Sequence, residues 1–578
     1  MYKDIKIRYS RDFAHYKNVV LVPGDSNAYR IVFETPWALD GCKFKVSCQR
    51  SDGETVTDFG EVSGKTATYV IASSMYALPG EAVFRLTLTQ DDGTVFTVCE
   101  VYAEVALGAG GSGESLTPVI DGILTSVSGI NDKLIALETQ VSDDHTTLTE
   151  LMQKISQLLA EKTEIAIPEG VLSADYAVKV YEKGNEYSAD KVPADFWTHT
   201  SANTYYVDYK TGRSSNDGLS RQNPLKYPSD ASSKASDGDT IVLLGSNHYP
   251  RNRMPFSSGK SLKVVADDGA TAVMCNADNS LDLKWALVDG YENLYQVTRS
   301  TTYAVYDFSA GSGNPHALTL ANSMSACAET ADTYFVDGNT VYVHTSDGRK
   351  PDYDIMACIN ACGADIATGQ TVYCKGIDFM FGSSACRVKA VTGKQPTFLG
   401  ESCTFSYSKT NGLSSMGAKF VYLKDCTAHN NFSDGLSYHA ELGYTSEAIE
   451  VNCKGCKNGT SANDKDNGST IHDGCKILRI CGEYYQNKGP NVADANTASV
   501  SCNIACSAHN SAADSDLRKI DYQIQDGTMY LYKCKAEASP ISVYVQKSAD
   551  GGAPTLYKHE STLPNTNSVT DGATVKTF

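Results

Sequence analysis

Long apolar runs are missing from this chain of 578 residues. No stretch approaches the roughly 18 consecutive apolar residues that a bilayer-spanning helix needs. The N-terminus, MYKDIKIRYSRDF, has no apolar signal-peptide core. Membrane insertion and a secretory leader are therefore not expected. A basic surplus is missing as well. The formal net charge is −18 and the pI is near 5.1, whereas a nucleic-acid or anionic-membrane partner selects a basic surface. Cysteine is absent between Cys99 and Cys275, with three before the gap and fifteen from Cys275 onward. Both groups are odd, so complete pairing within either is impossible. Reduced, buried thiols are expected, since free cysteine packs as a small apolar side chain. The CxxC at Cys453 and Cys456 has no second pair at zinc-ligand spacing. Phenylalanine, with 17 residues, is half as common as tyrosine, with 34. A ring with a polar handle suits exposed contact surfaces, sugar binding included, better than dry cores.

What is present divides into several domains, as a chain of this length requires. The most repetitive stretch runs from about 371 to 545 and breaks into short β-rich blocks: YCKGIDF, SCTFSYS, DCTAHN, NCKGCKN, SCNIACSAHN and YKCKAEA. Cys374, Cys403, Cys426, Cys453, Cys502 and Cys534 recur in these blocks, and Gly482 takes the slot between Cys453 and Cys502. Their spacings of 29, 23, 27, 29, 20 and 32 residues are too irregular for a helical solenoid. They suit a parallel β-helix, with constant strands and variable turns. Asn430, Asn458, Asn487 and Asn510 also recur, as expected of an internal hydrogen-bond ladder at one turn.

Residues 1–107 alternate apolar and polar in DIKIRYS, AYRIVFE, CKFKVSC, TYVIA and AVFRLTLT, separated by turn signals, and are expected to form a β-sandwich. Residues 108–115 are a Gly/Ser linker. Residues 116–162 carry heptads. Ile120, Val127, Leu134, Val141, Leu148 and Ile155 fill a; Ile123, Ile130, Leu137, Asp144, Leu151 and Leu158 fill d. Isoleucine at d shifts preference from two strands toward trimers or tetramers, so a trimeric α-helical coiled-coil stalk is expected. Asp144 breaks the seam within VSDDHTTL, a run rich in helix-capping residues, and is read as a kink or restart. Residues 163–203 show no clear period and are read as a neck. The β-helix head is placed at 204–545, with 250–370 of unknown register. VDGNTVYVHT within it reads as a hairpin turning at Asp337-Gly338-Asn339. The tail, 546–578, is polar and expected to be extended. The fold class is mainly β.

Two segments share an Asp-to-His pattern, NNFSDGLSYH and DKDNGSTIH. Asp434 and His439 lie five apart; Asp466 and His472 lie six apart on the next coil. With coils stacked at ~4.8 Å, Asp434, His439, Asp466, His472, Asp473 and Asp494 are expected to form one patch. Paired carboxylates beside imidazoles could cleave a polysaccharide, as a hydrolase or as a lyase. Against this, Asp-Gly and Asp-Asn-Gly are ordinary turn sequences. Asp464, Asp466 and Gly468 resemble the start of a Ca²⁺ loop, but Cys475 stands where a bidentate Glu is needed. No cofactor or metal is expected beyond that weak calcium signal.

Two resemblances set these residues in context. The run VVLVPGDSNAYRIVFETP, followed by DDGTVFTVCEVYAEV, a glycine linker and heptads, resembles the N-terminal domain of phage baseplate upper proteins and related tail-fibre attachment domains. This implies docking of residues 1–107 onto a tail tip or baseplate, in a virion protein assembled in the bacterial host cytoplasm. YYVDYKTGRSSNDGLS, with GDTIVLL further on, resembles the opening segment of right-handed parallel β-helix proteins of the pectate-lyase-like superfamily. Val207, Asp208, Ser215, Asn216, Asp217, Gly218, Leu219, Ser220, Gly238, Asp239, Thr240 and Ile241 carry it. SNHYP departs from the glycine-tyrosine ending of that motif. The implied protein is a phage tail spike or receptor-binding fibre, a homotrimer that recognises a host surface polysaccharide. A depolymerase using the Asp/His patch and a purely structural baseplate spacer are the alternatives.

Overall fold

A computed structural model describes the chain except residues 1, 9–13, 23–28, 91–93, 107–128, 130–132, 134–147, 150–161, 201, 460–464 and 550. The expected linker, Asp144, Asp464 and nearly all the heptad positions lie outside the described residues. Two compact units divide the chain, 1–148 and 149–578.

In the first unit, eight strands form one continuous hydrogen-bonded series rather than two separately bonded sheets. The joint is Thr55–Ser63: Thr55–Gly60 pair with Phe44–Gln49, and Glu61–Ser63 pair with Thr66–Thr68. The alternation seen in the sequence fills one core, where Phe33, Phe44, Val46, Phe84, Leu86 and Val101 meet.

The second unit is a parallel β-helix of three long sheets. The first sheet starts at Thr204–Val207 and continues through Thr371–Lys375 to Thr574–Thr577. The second runs from Asn247–Pro250 to Lys535–Glu537, and the third from Asp365–Ile366 to Thr566–Val569. Register along the first sheet pairs Thr371, Thr397, Phe420, Glu447, Lys476, Val500, Thr528 and Thr555 in succession. Coils therefore take 23 to 29 residues. The helix Pro228–Lys234 packs Ala231 into the core beside Tyr205 and Ile241. The opening-segment acids serve turns: Asp208 accepts the Lys210 N–H and Asp217 that of Leu219.

Three expectations are corrected. The cysteine slot holds Cys403, Cys426, Cys453, Gly482, Cys506 and Cys534, each following a left-handed corner residue. Those corners are Ser402, Asp425, Asn452, Cys481, Ala505 and Lys533, with φ between 48° and 55°. Cys374 and Cys502 instead lie within first-sheet strands, Cys374 against Gly400 and Cys502 against Tyr530. All eighteen cysteines are free.

The neck is a strap. Thr163–Ile165, Val180–Lys183 and Glu186–Ala189 form an antiparallel sheet, and the segment lies along the outer face of the first sheet. That face carries Leu399, Tyr422, Ile449, Leu478 and Ile504. Covering each is worth on the order of 1.5–3 kcal/mol, which explains why a segment without a period of its own folds there. Tyr176 stacks on Phe420 at 4.0 Å, and Lys533 reaches Glu182 at 2.6 Å.

The tail is not a simple extension. Thr555–His559 and Thr574–Thr577 join the first sheet, and Thr566–Val569 joins the third. Residues 277–359 are an insertion with antiparallel sheets of its own, including the expected hairpin, Thr333–Asp337 with Thr340–His344. The first sheet skips it, pairing Leu262–Val265 directly with Val372–Lys375.

Candidate functional site

Each third-sheet strand alternates inward and outward residues, and this pleat decides the fate of the Asp/His pattern. Leu436, Ser437 and Tyr438 pair with Ser469, Thr470 and Ile471 on the next coil. That register sets Asp434 opposite Asn467, and His439 opposite His472. Asp466 is opposite Ser433. The five-residue and six-residue spacings reflect an offset of one, so the two acids are not equivalent.

Asp434 is a rung in a ladder. Its N–H donates to Asn411 Oδ1 at 3.3 Å, and its Oδ1 accepts the Asn467 N–H at 2.9 Å. Asn467 Nδ2 then donates to the Pro490 carbonyl at 2.7 Å. Asn411, Asp434 and Asn467 thus tie three coils to the backbone of the next, the first two through an accepting oxygen and Asn467 through its donating amide. Ser437 Oγ occupies the other oxygen of Asp434 at 3.1 Å. Burial pushes the Asp434 carboxyl up to about 7, and the Asp466 charge adds to the rise. Asp466 is buried and accepts from Ser433 Oγ at 3.1 Å.

The glycine after each rung follows from a second ladder. Asn431 Nδ2 donates to Asn458 Oδ1 (2.9 Å), Asn458 to Asn487 (3.0 Å), Asn487 to Asn491 (3.0 Å) and Asn491 to Asp521 (3.0 Å). A Cβ at Gly435 would lie 2.7 Å from Asn458 Nδ2, and one at Gly468 would lie 2.8 Å from Asn487 Nδ2. The Asp-Gly and Asn-Gly pairs are thus required by the coil interior. The expected ladder is corrected by one residue at its ends: Asn430 and Asn510 are left-handed corners (φ 55° and 54°), and Asn431 carries the first asparagine rung.

His439 and His472 lie at the far end of the strand from Asp434. Five residues at ~3.3 Å each separate Asp434 from His439 along the chain, so no acid–imidazole cluster forms between them. The two imidazoles stack at 4.3 Å and 4°. His439 Nδ1 is 3.4 Å from Asp473 Oδ2, and His472 Nε2 is 3.0 Å from Thr470 Oγ1. Burial, reinforced by His439, lowers the His472 pKa to about 4.

Asp494 faces the other way, opposite Ile471. It is fully buried and takes both ends of the Arg479 guanidinium, at 2.9 and 3.2 Å. Arg479 also donates to Ser469 Oγ (2.9 Å) and Asn503 Oδ1 (3.2 Å), while Tyr438 and Tyr484 donate to buried Glu450. Nothing in KILRI distinguishes Arg479 from a solvated arginine, which is why the sequence reading missed this network.

The expected patch therefore separates into an acid corner (Asp434, Asp466), an imidazole edge (His439, His472, Asp473) and an interior ion pair (Asp494). No described group of three His, Cys, Asp or Glu side chains is arranged to hold a metal. The second sheet has an outward aromatic file that the sequence reading passed over: Tyr485 stacks on His509 at 4.9 Å and 3°, and Tyr407 meets His429 edge-on at 5.8 Å. The register signal for it, Tyr485 one residue before a left-handed corner and His509 likewise, becomes readable only once the corners are known.

The fold and its flank define a parallel β-helix protein. No family model matches the chain, and no curated protein matches it in sequence. Among solved structures, xylose-bound XylC is similar to 62% of this chain over 69% of its own, at 10% identity and a TM-score of 0.39. The A-module of Azotobacter vinelandii mannuronan C-5 epimerase AlgE4 aligns over 60% of this chain and 92% of its own, at 10% identity and a TM-score of 0.28. The N-terminal domain of phage TP901-1 ORF48 aligns over 18% of this chain and 100% of its own, at 14% identity and a TM-score of 0.16.

Proposed function

We propose that the chain is a phage tail spike or receptor-binding fibre that holds a host cell-surface glycan along the flank of its β-helix without cleaving it. The observation that carries this reading is the division of labour within the coils. Asp434 and Asp494 are committed to the scaffold, whereas rings and imidazoles stand outward in files at the coil spacing (Tyr485 with His509, His439 with His472). A file repeating at ~4.8 Å suits a repeating ligand, and the polar edges that stacked rings present outward suit sugar hydroxyls. Docking through residues 1–107 onto a tail tip or baseplate is supported by the order of alternating β segment, glycine linker and heptads. Isoleucine at d positions supports a homotrimer. The location that follows is the virion.

Incubating the full-length protein with host surface polysaccharide and sizing the polymer tests the reading. Retention on the polymer without shortening is expected. Failure to bind host cells or their polysaccharide would leave the structural spacer in its place.

One observation favours a second reading, the depolymerase. A carboxyl held near 7 beside another acid on the next coil has the form of a general acid. Shortening of the polymer, abolished by Asp434→Asn or Asp466→Asn with the melting temperature retained, would establish it.

A further inference from the structure

The left-handed corners between the second and third sheets place one side chain per coil outward, and four successive corners carry Lys457, Gln486, Asn510 and Ala538. Their backbones are fixed to one another: Lys457 N–H donates to the Tyr485 carbonyl at 3.1 Å, Gln486 to Asn510 at 3.1 Å and Asn510 to Glu537 at 3.2 Å. Beside this column opens a pocket of about 720 Å³, lined by Lys457, Gln486, Asn510 and Lys519, with Ser511 and Pro540 among its other walls. Its character is unusual for a chain of net charge −18. Lining ammonium and amide donors outnumber acids, and no carboxylate lines it.

Two of the nearby acids are engaged, and a third, Glu537, is exposed on the strand just before Ala538 without lining the pocket. Glu483 is bound by Lys454 at 2.7 Å and by His509 at 3.4 Å, and Asp516 holds Lys519 at 2.6 Å. Among the described residues no carboxylate pairs with the exposed Lys457 ammonium. Asn510 Nδ2 is 3.0 Å from His509 Nδ1, which ties the pocket rim to the stacked Tyr485–His509 pair. Lysine ammonium groups and side-chain amides on a rigid column, next to the edges of a stacked ring pair, are what an anionic sugar requires. The charge goes to the ammonium and the hydroxyls go to the amides and the polar ring edges.

We propose that this pocket binds an acidic residue of the glycan, through a carboxylate or phosphate group on the sugar, with Lys457 as the principal charge contact. The inference rests on the glycan-binding reading above and specifies where and with what chemistry the polymer is held. Since Lys457 is exposed, binding should weaken as salt rises, because the Debye length is only ~8–10 Å at 0.1–0.15 M.

The test uses the full chain and three probes: a uronate hexasaccharide, a glycerol-phosphate oligomer and a neutral hexasaccharide, titrated by calorimetry at 50 and 300 mM salt. One or both acidic probes should bind more tightly than the neutral one, and more weakly at high salt. Lys457→Glu should cost the better acidic probe about tenfold or more in Kd, and Lys457→Ala somewhat less. Lys284→Glu, an exposed change on the insertion, should cost nothing. Unchanged melting temperatures would show that the variants fold. If Lys457→Glu binds the acidic probes as the parent does, or if the neutral probe binds best, the pocket assignment falls while glycan binding stands. If no probe and no host polysaccharide binds, both fall together.

Discussion

The interior and the flank of the same coils are built from similar residues and obey different rules. On Leu436–His439, Leu436 and Tyr438 enter the core while His439 stands outside. Inside, the asparagine ladder passes from coil to coil, and Arg479 is divided among Asp494, Ser469 and Asn503. Outside, spacing is regular and the partners are solvent-exposed ion pairs such as Lys454 with Glu483 and Lys488 with Asp514. A residue type that recurs on adjacent coils is therefore ambiguous until its side of the pleat is known. Asp434 recurs because the scaffold bonds through an Asx there; His439 and His472 recur on the outer edge, stacked on each other and in contact with Asp473 and Thr470.

Breaking the interior should produce the largest effect. Asp494→Ala would leave the Arg479 guanidinium buried beside Glu450 without its bidentate partner, at a cost of about 3–5 kcal/mol. Chemical denaturation should read this as a lower midpoint. Replacing the pair together, Arg479→Met with Asp494→Leu, should recover only part of the loss, since Glu450 then stays buried without the guanidinium beside it; adding Glu450→Gln should recover more. A loss below ~1 kcal/mol in the single variant would mean that the interior is not governed by pairing.

Gly468→Ala is next. The added methyl would lie 2.6 Å from the Gly455 carbonyl oxygen and 2.8 Å from Asn487 Nδ2, both part of the stacked interior. A loss of about 1–3 kcal/mol is expected from overpacking, read as a fall in melting temperature. A neutral result would detach the glycine from the ladder.

Asp434→Asn sharpens the comparison through pH. The Asp434 carboxyl is held near 7 in the folded chain and near 3.9 when unfolded, so the folded state favours the protonated form. Its contribution to stability is fully present below about pH 4 and is lost as pH rises through 7. An asparagine, already accepted at 411 and 467, carries no such penalty. The variant should therefore gain on the parent by about 1–2 kcal/mol between pH 4 and pH 8. His472 runs the other way: with its value lowered to about 4, it contributes stability that is lost as pH falls from about 6.5 through 4. Should Asp434→Asn show the same pH dependence as the parent, the Asp434 carboxyl would not be held near 7 in its coil.

These cases show how far the sequence could be read. The repeat, its β-helix class, the opening motif and the hairpin at Asp337-Gly338-Asn339 were all legible, because each rests on local turn chemistry or on a pattern many residues long. The register was not. Identical residue types sit side by side at the points that matter: Asn430 with Asn431, Asp466 with Asn467, Cys502 four residues before Cys506. Coils of 23 to 29 residues give no fixed period to choose between them, and a slip of one residue turns an inward side chain outward. The strap at 163–203 and the last coils at 555–577 were missed for a different reason. Their strands are short and polar on one side, and they gain order only from the sheets they join.

The smallest effect on stability belongs to the imidazole edge. His439→Ala and His472→Ala each remove one ring of a stacked pair, on a flank where His439 is partly solvated and His472 has Thr470 for a neighbour. A cost within about 1 kcal/mol is expected, so the melting temperature should move little. If the flank carries the ligand, however, retention on host polysaccharide should fall in both variants, and by more in the double variant. That separation, a small change in folding with a large change in binding, is the reverse of what the interior variants should show. A large loss of stability with binding intact would place the pair in the scaffold, beside Asp434. The second-sheet file of Tyr485 and His509 would then be the flank on which to look for the sugar.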